Sequence, residues 1–150
     1  MLFFSSFADK VKILDKDQET LQARIEIIRS AQKEILMSYY IFEDDHIGHL
    51  FVAELLNASN RGVDVKLIID ATNNHLSHDI LYTMLCGGIH IHIYNKFKVL
   101  YPERFIKYRM HDKILLVDNK QVILGGRNIE DKYYGLSNKN FTDRDVYIEG

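Results

Sequence analysis

The sequence predicts an α/β domain: a central, mixed but mainly parallel sheet with helices packed on its faces. Three observations point there. Short apolar strands alternate three times in a row with stretches of helical periodicity, the pattern that builds parallel strands joined by crossover helices. Closely spaced strands separated by a turn follow beyond Met110. The chain has 150 residues, 47% of them hydrophobic, which suits one domain around a substantial core.

The elements follow in order. From Gln18 to Lys33 the apolar residues Leu21, Ile25, Ile28 and Ala31 recur at three- and four-residue spacing among charges, which predicts an amphipathic helix. Ile35 to Phe42 reads as an apolar, aromatic strand. The acidic turn Glu43-Asp44-Asp45 leads into a second helix, Ile47 to Ser59, closed by Asn60-Arg61-Gly62 as a C-cap. A strand from Val63 to Ile69 ends at Asp70, and a loop and third helix from Asn73 to Cys86 stop at Gly87-Gly88. In Ile89-His90-Ile91-His92-Ile93 the two-residue alternation marks a half-exposed strand. The remaining strands are Ile114 to Val117, Gln121 to Leu124 after a turn at Asp118-Asn119-Lys120, and Val146 to Ile148. Residues 1–17 read as an N-terminal extension to a single lobe. No internal repeat or linker interrupts it.

Composition narrows the function classes. A single cysteine, Cys86, cannot form an internal disulfide, and no Cys/His cluster has zinc-ligand spacing, so neither a disulfide framework nor a metal centre is expected. His75, His78, His90 and His92 lack an acid or cysteine to complete a ligand set. The formal net charge of -2 argues against a dedicated nucleic-acid binder. The apolar start, Met1 to Phe7, is interrupted by Asp9 and Lys10 far short of the ~20 residues of a membrane-spanning helix, and it could be the stub of a longer anchor.

The chemistry concentrates after Met110. On a strand, residues two apart face the same side, so His111 and Lys113 project together while Asp112 points away. A neutral imidazole can attack a phosphoryl group at physiological pH, and a neighbouring ammonium neutralises the phosphate oxygens. Asn128 adds an amide donor, and Gly125-Gly126 would let the backbone approach an anion closely. Each piece alone has a plainer reading as a surface pair or a turn. Their combination at fixed spacing is what carries the inference.

That pattern, His111-x-Lys113, Asp118 and Gly125-Gly126-x-Asn128, resembles the hallmark of the phospholipase D superfamily, and it matches throughout in spacing. The resemblance runs from about Leu21 to Gly150, through Ala31 to Ile35, Tyr40-Ile41-Phe42 and Arg61 to Val65 with Asp70. Gly125 to Asn128, with Ile129, Asp131 and Tyr133, looks most like bacterial cardiolipin synthases.

The resemblance implies an α/β/α sandwich lobe and a two-step reaction. A histidine attacks phosphorus, forms a phosphohistidine, and is released by water or an alcohol, with no cofactor. It also implies a second such motif whose histidine protonates the leaving alkoxide. This chain has one motif, so its partner is either a second lobe in the same longer chain, the reading favoured here, or a homodimer mate. His111 would be the nucleophile, with Lys113, Asp118, Asn128 and Asp143 beside it in the catalytic set, and Gly125, Gly126 and Arg127 on the substrate. Asp143 is expected to brace the second ring nitrogen of His111, with Asp145 in reserve because the two share side-chain parity. Asp118 has a plainer alternative as a turn former. Arg127 could instead pair with Glu130 or Asp131.

Gly126 stands where the commoner pattern has serine, so one phosphate contact must come from backbone or Arg127. Between Lys96 and Arg109 lie five basic residues and one acid, interleaved with Phe97, Tyr101, Phe105 and Tyr108. Such a patch suits anionic headgroups at a membrane surface, a nucleic acid, or a plain solvated loop. The expected substrate is a phospholipid, and the expected location the cytoplasmic face of a membrane, peripheral or anchored by a missing segment, and otherwise the cytoplasm. A metal-independent nuclease of the same chemistry and a non-catalytic phosphate- or lipid-binding lobe are the alternatives.

Overall fold

A computed structural model describes residues 10–96 and 108–150. The apolar start and most of the basic-aromatic stretch, including Phe97, Tyr101 and Phe105, therefore lie outside the described residues. The elements are β1 (Lys10–Leu14), α1 (Asp17–Ser30), β2 (Glu34–Tyr39), α2 (His46–Asn60), β3 (Asp64–Asp70), α3 (His78–Cys86), β4 (His90–Tyr94), β5 (Lys113–Val117), β6 (Gln121–Gly125) and β7 (Asp145–Glu149). A single 3-10 turn, Asp131–Tyr133, precedes β7.

The seven strands form one mixed sheet in the order β1-β7-β6-β5-β2-β3-β4. The α/β class is as expected, but the sheet is mostly antiparallel rather than mainly parallel. Only β2 with β3 and β3 with β4 run parallel; the other four neighbour pairs are antiparallel. The physical reason is connection length. A parallel pair needs a crossover, which α2 and α3 supply, whereas the tight turn after Val117 can only return the chain antiparallel. Asp118 and Asn119 both have φ of 55° in that turn, the left-handed pair that matches hairpin twist. The residues expected to be a mere extension also contribute a strand: β1 pairs with β7 and puts Leu14 opposite Asp145.

Local signals explain the helices. The Asp45 side chain accepts from Gly48 N–H at the start of α2, and Gly62 takes φ of 90° just beyond its end. Ser77 caps α3, and Gly88 follows it at φ 82°. Alternation in the strands assigns the faces. Ile35, Met37 and Tyr39 of β2, Val65, Leu67 and Ile69 of β3, Leu115 and Val117 of β5 and Ile123 of β6 are buried together with Ile28, Phe51 and Leu55 of the helices. Both parallel crossovers step the same way across the sheet, so right-handed connections put α2 and α3 on one face, and α1 packs beside α2. Ile68, Ile114 and Leu124 point to the opposite face, where no helix of the described residues lies. No helix among the described residues is long and apolar enough to cross a membrane.

Candidate active site

The site forms where the C-terminal end of β2 meets the start of β5. Antiparallel pairing sets Tyr39 opposite Lys113, and the Tyr40 N–H donates to the Asp112 carbonyl at 3.1 Å, so the chain stays in register one step beyond the strand. His111 precedes β5, yet the two-residue alternation persists. The Lys113 ammonium lies 3.1 Å from His111 Nδ1 and donates to the His111 carbonyl at 2.7 Å. His111 itself is exposed; Lys113 is buried along its stem. Burial pushes the Lys113 pKa below the ordinary lysine value, and Asp143 and Asp112 offset part of that push. The Tyr40 ring faces the His111 imidazole with centroids 4.5 Å apart, and the Lys113 ammonium sits 5.5 Å from the centroid of the same ring.

The main chain carrying His111 is held from both sides. Asp70, fully buried at the end of β3, accepts from the Met110 N–H at 3.0 Å through Oδ2. Its Oδ1 accepts from the Thr72 N–H at 2.9 Å and from the Thr72 hydroxyl. A carboxylate without solvent needs such donors, and here one of them is the residue next to His111.

Asn128 is 1% exposed and built into the frame. Its Oδ1 accepts from Ile41 N–H at 3.1 Å and its amide donates to the Tyr133 hydroxyl at 2.9 Å, so one amide hydrogen has no partner among the described hydrogen bonds. Asp143 lies across from Gly126: a Cβ added to Gly126 would strike both of its carboxylate oxygens. Its charge also acts on the Lys113 ammonium, against the effect of burial. In this state Asp143 Oδ1 accepts from Arg144 N–H, and among the described residues no hydrogen bond joins Asp143 to His111.

Several expectations require correction. Arg127, expected on the substrate, is fully buried behind the site. Its guanidinium pairs with Asp145 Oδ2 and Asp17 Oδ1, each at 3.0 Å, and donates to the carbonyls of Leu14, Asp15 and Tyr133. Neither Glu130 nor Asp131 is its partner: Asp131 accepts from Ile47 N–H and meets His46 Nδ1, and Glu130 pairs with Lys132. Asp145 is thereby removed as a reserve brace for His111, because it is fully buried between Arg127 and Arg24.

Asp118 is structural. Its carboxylate accepts the N–H groups of Gln32, Lys33 and Glu34 at 2.8, 2.8 and 2.9 Å. It stands at the opposite end of β5 from His111, seven residues and roughly 20 Å away at strand rise. Gly126 does not offer its N–H to an anion either, since that group donates to the Arg144 carbonyl at 3.3 Å. At Gly125 a Cβ would meet the Arg144 carbonyl at 2.6 Å, so the two glycines allow close approach of the 143–145 segment.

The structure thus brings together His111, Lys113, Asn128, Gly126 and Asp143, and adds Tyr40, Tyr133 and Asp70. Tyr40 and Tyr133 lie in the stretches that carry the resemblance, but nothing there assigned them to the site; Asp70 stands at the C-terminal end of a strand, where sites are built, although a capping role was the likelier expectation.

The family model described as cardiolipin synthase, PLD-like domain, matches residues 24–142. An uncharacterized protein of Helicobacter pylori is 36% identical over 169 residues, covering 97% of this chain and 33% of that protein. Cardiolipin synthase C of Escherichia coli is 34% identical over 147 residues, covering 91% of this chain and 31% of that enzyme. Among solved structures, NucT from Helicobacter pylori shares the fold with a TM-score of 0.72 at 18% identity, over 93% of this chain and 85% of that one. The chain spans about a third of the length of the curated relatives it matches.

Proposed function

Because the chain belongs to the phospholipase D superfamily, close to its cardiolipin synthase-like members, we propose that it is one lobe of an enzyme that breaks or exchanges a phosphodiester bond through a phosphohistidine. The observation that carries the reading is the exposed His111 with a half-buried ammonium 3.1 Å from its ring. While the Lys113 ammonium donates to Nδ1, the ring proton of a neutral imidazole sits on Nε2, and that nitrogen has no lone pair for attack. Arrival of a phosphate diester draws the ammonium, whose burial strengthens its attraction for an anion, onto a phosphate oxygen. Once Nδ1 is released, the ring proton passes from Nε2 to Nδ1 by exchange with solvent and is turned toward Asp143; Nε2, now unprotonated, attacks phosphorus, the phosphoester oxygen leaves, and Asp143 compensates the imidazolium. The remaining amide hydrogen of Asn128 supplies a further donor to the equatorial oxygens.

The leaving alkoxide needs a proton, and a second motif, in a further lobe or another subunit, is proposed to give it. Similarity to cardiolipin synthases favours a phospholipid substrate met at a membrane surface. The test is His111→Ala in the intact protein, assayed on vesicles containing phosphatidylglycerol, on DNA, and on bis(p-nitrophenyl) phosphate. Turnover and acid-labile labelling of the protein by a radioactive diester should both disappear. A variant that keeps them sinks the mechanism, and cleavage of DNA alone would move the substrate to nucleic acid.

A further inference from the structure

We propose that Tyr40 is a positioning residue for the nucleophile: its ring is the seat that fixes the orientation of the His111 imidazole and of the Lys113 ammonium together. The inference rests on the reading of His111 as nucleophile, but it concerns what sets the ring's direction. An exposed histidine has free rotation about its side-chain bonds unless packing or a hydrogen bond removes it. No carboxylate reaches His111 among the described hydrogen bonds, and its one side-chain partner is an ammonium on a long, flexible stem. Among the described residues the remaining restraint is Tyr40, tilted 45° against the imidazole at a centroid distance of 4.5 Å, within the range of a favourable aromatic pair.

The same ring takes the cation. Lys113 Nζ lies 5.5 Å from its centroid, inside cation-π range, while the Tyr40 main chain is pinned by its N–H bond to Asp112 between the two active residues. Tyr40 is therefore placed by the strand register and does not depend on the site it supports. When the ammonium moves to a phosphate, the aromatic contact to His111 persists, so the imidazole keeps its aim at the moment its Lys113 bond is lost. A seat made by the ring face needs no hydroxyl. That separates it from a role for Tyr40 as a proton donor.

The experiment compares Tyr40→Phe and Tyr40→Leu in the intact protein, with Tyr40→Met, a flexible side chain without a ring, should the leucine variant fail to fold. Hydrolysis of bis(p-nitrophenyl) phosphate should fall about ten- to a hundredfold in kcat for the ring-less variants with KM within about twofold, and stay within about threefold for Tyr40→Phe. In proton-carbon NMR spectra the ring protons of His111 should lose their aromatic ring-current shift in the ring-less variants and keep it in Tyr40→Phe. Equal loss of kcat in Tyr40→Phe would overturn the seat in favour of hydroxyl chemistry. Unmoved His111 resonances in the ring-less variants would overturn it outright. If the parent protein turns over no diester, the functional reading falls, and the NMR comparison alone decides the seat.

Discussion

Replacing Asp145 with Asn removes the one carboxylate shared by two fully buried guanidiniums, Arg24 Nη2 at 3.3 Å and Arg127 Nη1 at 3.0 Å. The two arginines do not suffer equally. Arg127 keeps Asp17 and three carbonyls, whereas among the described residues Arg24 retains only the Tyr39 hydroxyl at 3.3 Å and the Thr20 carbonyl at 3.4 Å, and its Nη2 has no hydrogen bond there to replace the ion pair. Breaking a buried pair by deleting one partner costs about 3–5 kcal/mol, and an amide oxygen that still accepts one bond puts the expectation at about 3–4 kcal/mol. For a chain of this length that lowers Tm by roughly 6–16 °C. Urea unfolding followed by circular dichroism measures it. If Asp145→Asn stays within about 1 kcal/mol of the parent but abolishes turnover, the structural assignment of Asp145 is wrong and it serves His111 after all.

Other substitutions separate support from chemistry. Gly126→Ala sets a methyl group against the Asp143 carboxylate; turnover should drop at least about tenfold as Asp143 is displaced, read as kcat on a chromogenic diester. Lys113→Met should abolish turnover while leaving stability at pH 7 unchanged or raised. Folding favours neutral Lys113, so the parent gains stability as pH rises from its lowered folded pKa through the ordinary lysine value of about 10.4, and that alkaline gain should vanish in the variant. Asp118→Ala should cost about 1–2 kcal/mol in chemical denaturation by leaving three N–H groups without their acceptor, with turnover within about twofold of the parent. Burial alone would raise the Asp118 pKa, but the Glu34, Gln32 and Lys33 N–H groups and the Lys33 charge outweigh it and hold it low. Its stabilisation is therefore present above the ordinary aspartate value of about 3.9 and lost as pH falls through the folded one, and the alanine variant should lack that acid-side loss.

Local regularities were legible in the chain. Helical periodicity and caps located α2 and α3 to within a residue or two of Ile47–Ser59 and the stop at Gly87-Gly88, and strand parity put His111 and Lys113 on one side. Strand direction was less legible, because strand-helix alternation describes β2 to β4 but says nothing of how the later hairpins attach, and β1 was too short and too charged to stand out from an extension. What only the tertiary structure decided was the partner of each charge. Arg127 meets Asp17 110 residues away, and Asp118 meets N–H groups 84 to 86 residues away. Periodicity acts over a turn or a pleat, whereas burial of an ion is settled by whichever distant carboxylate or main-chain donor the sheet order brings beside it. Motif spacing therefore pointed to His111 and Lys113, and the structure sets the two side chains next to each other. Packing turned Arg127, Asp145 and Asp118 into frame, and placed the Tyr40 ring against His111.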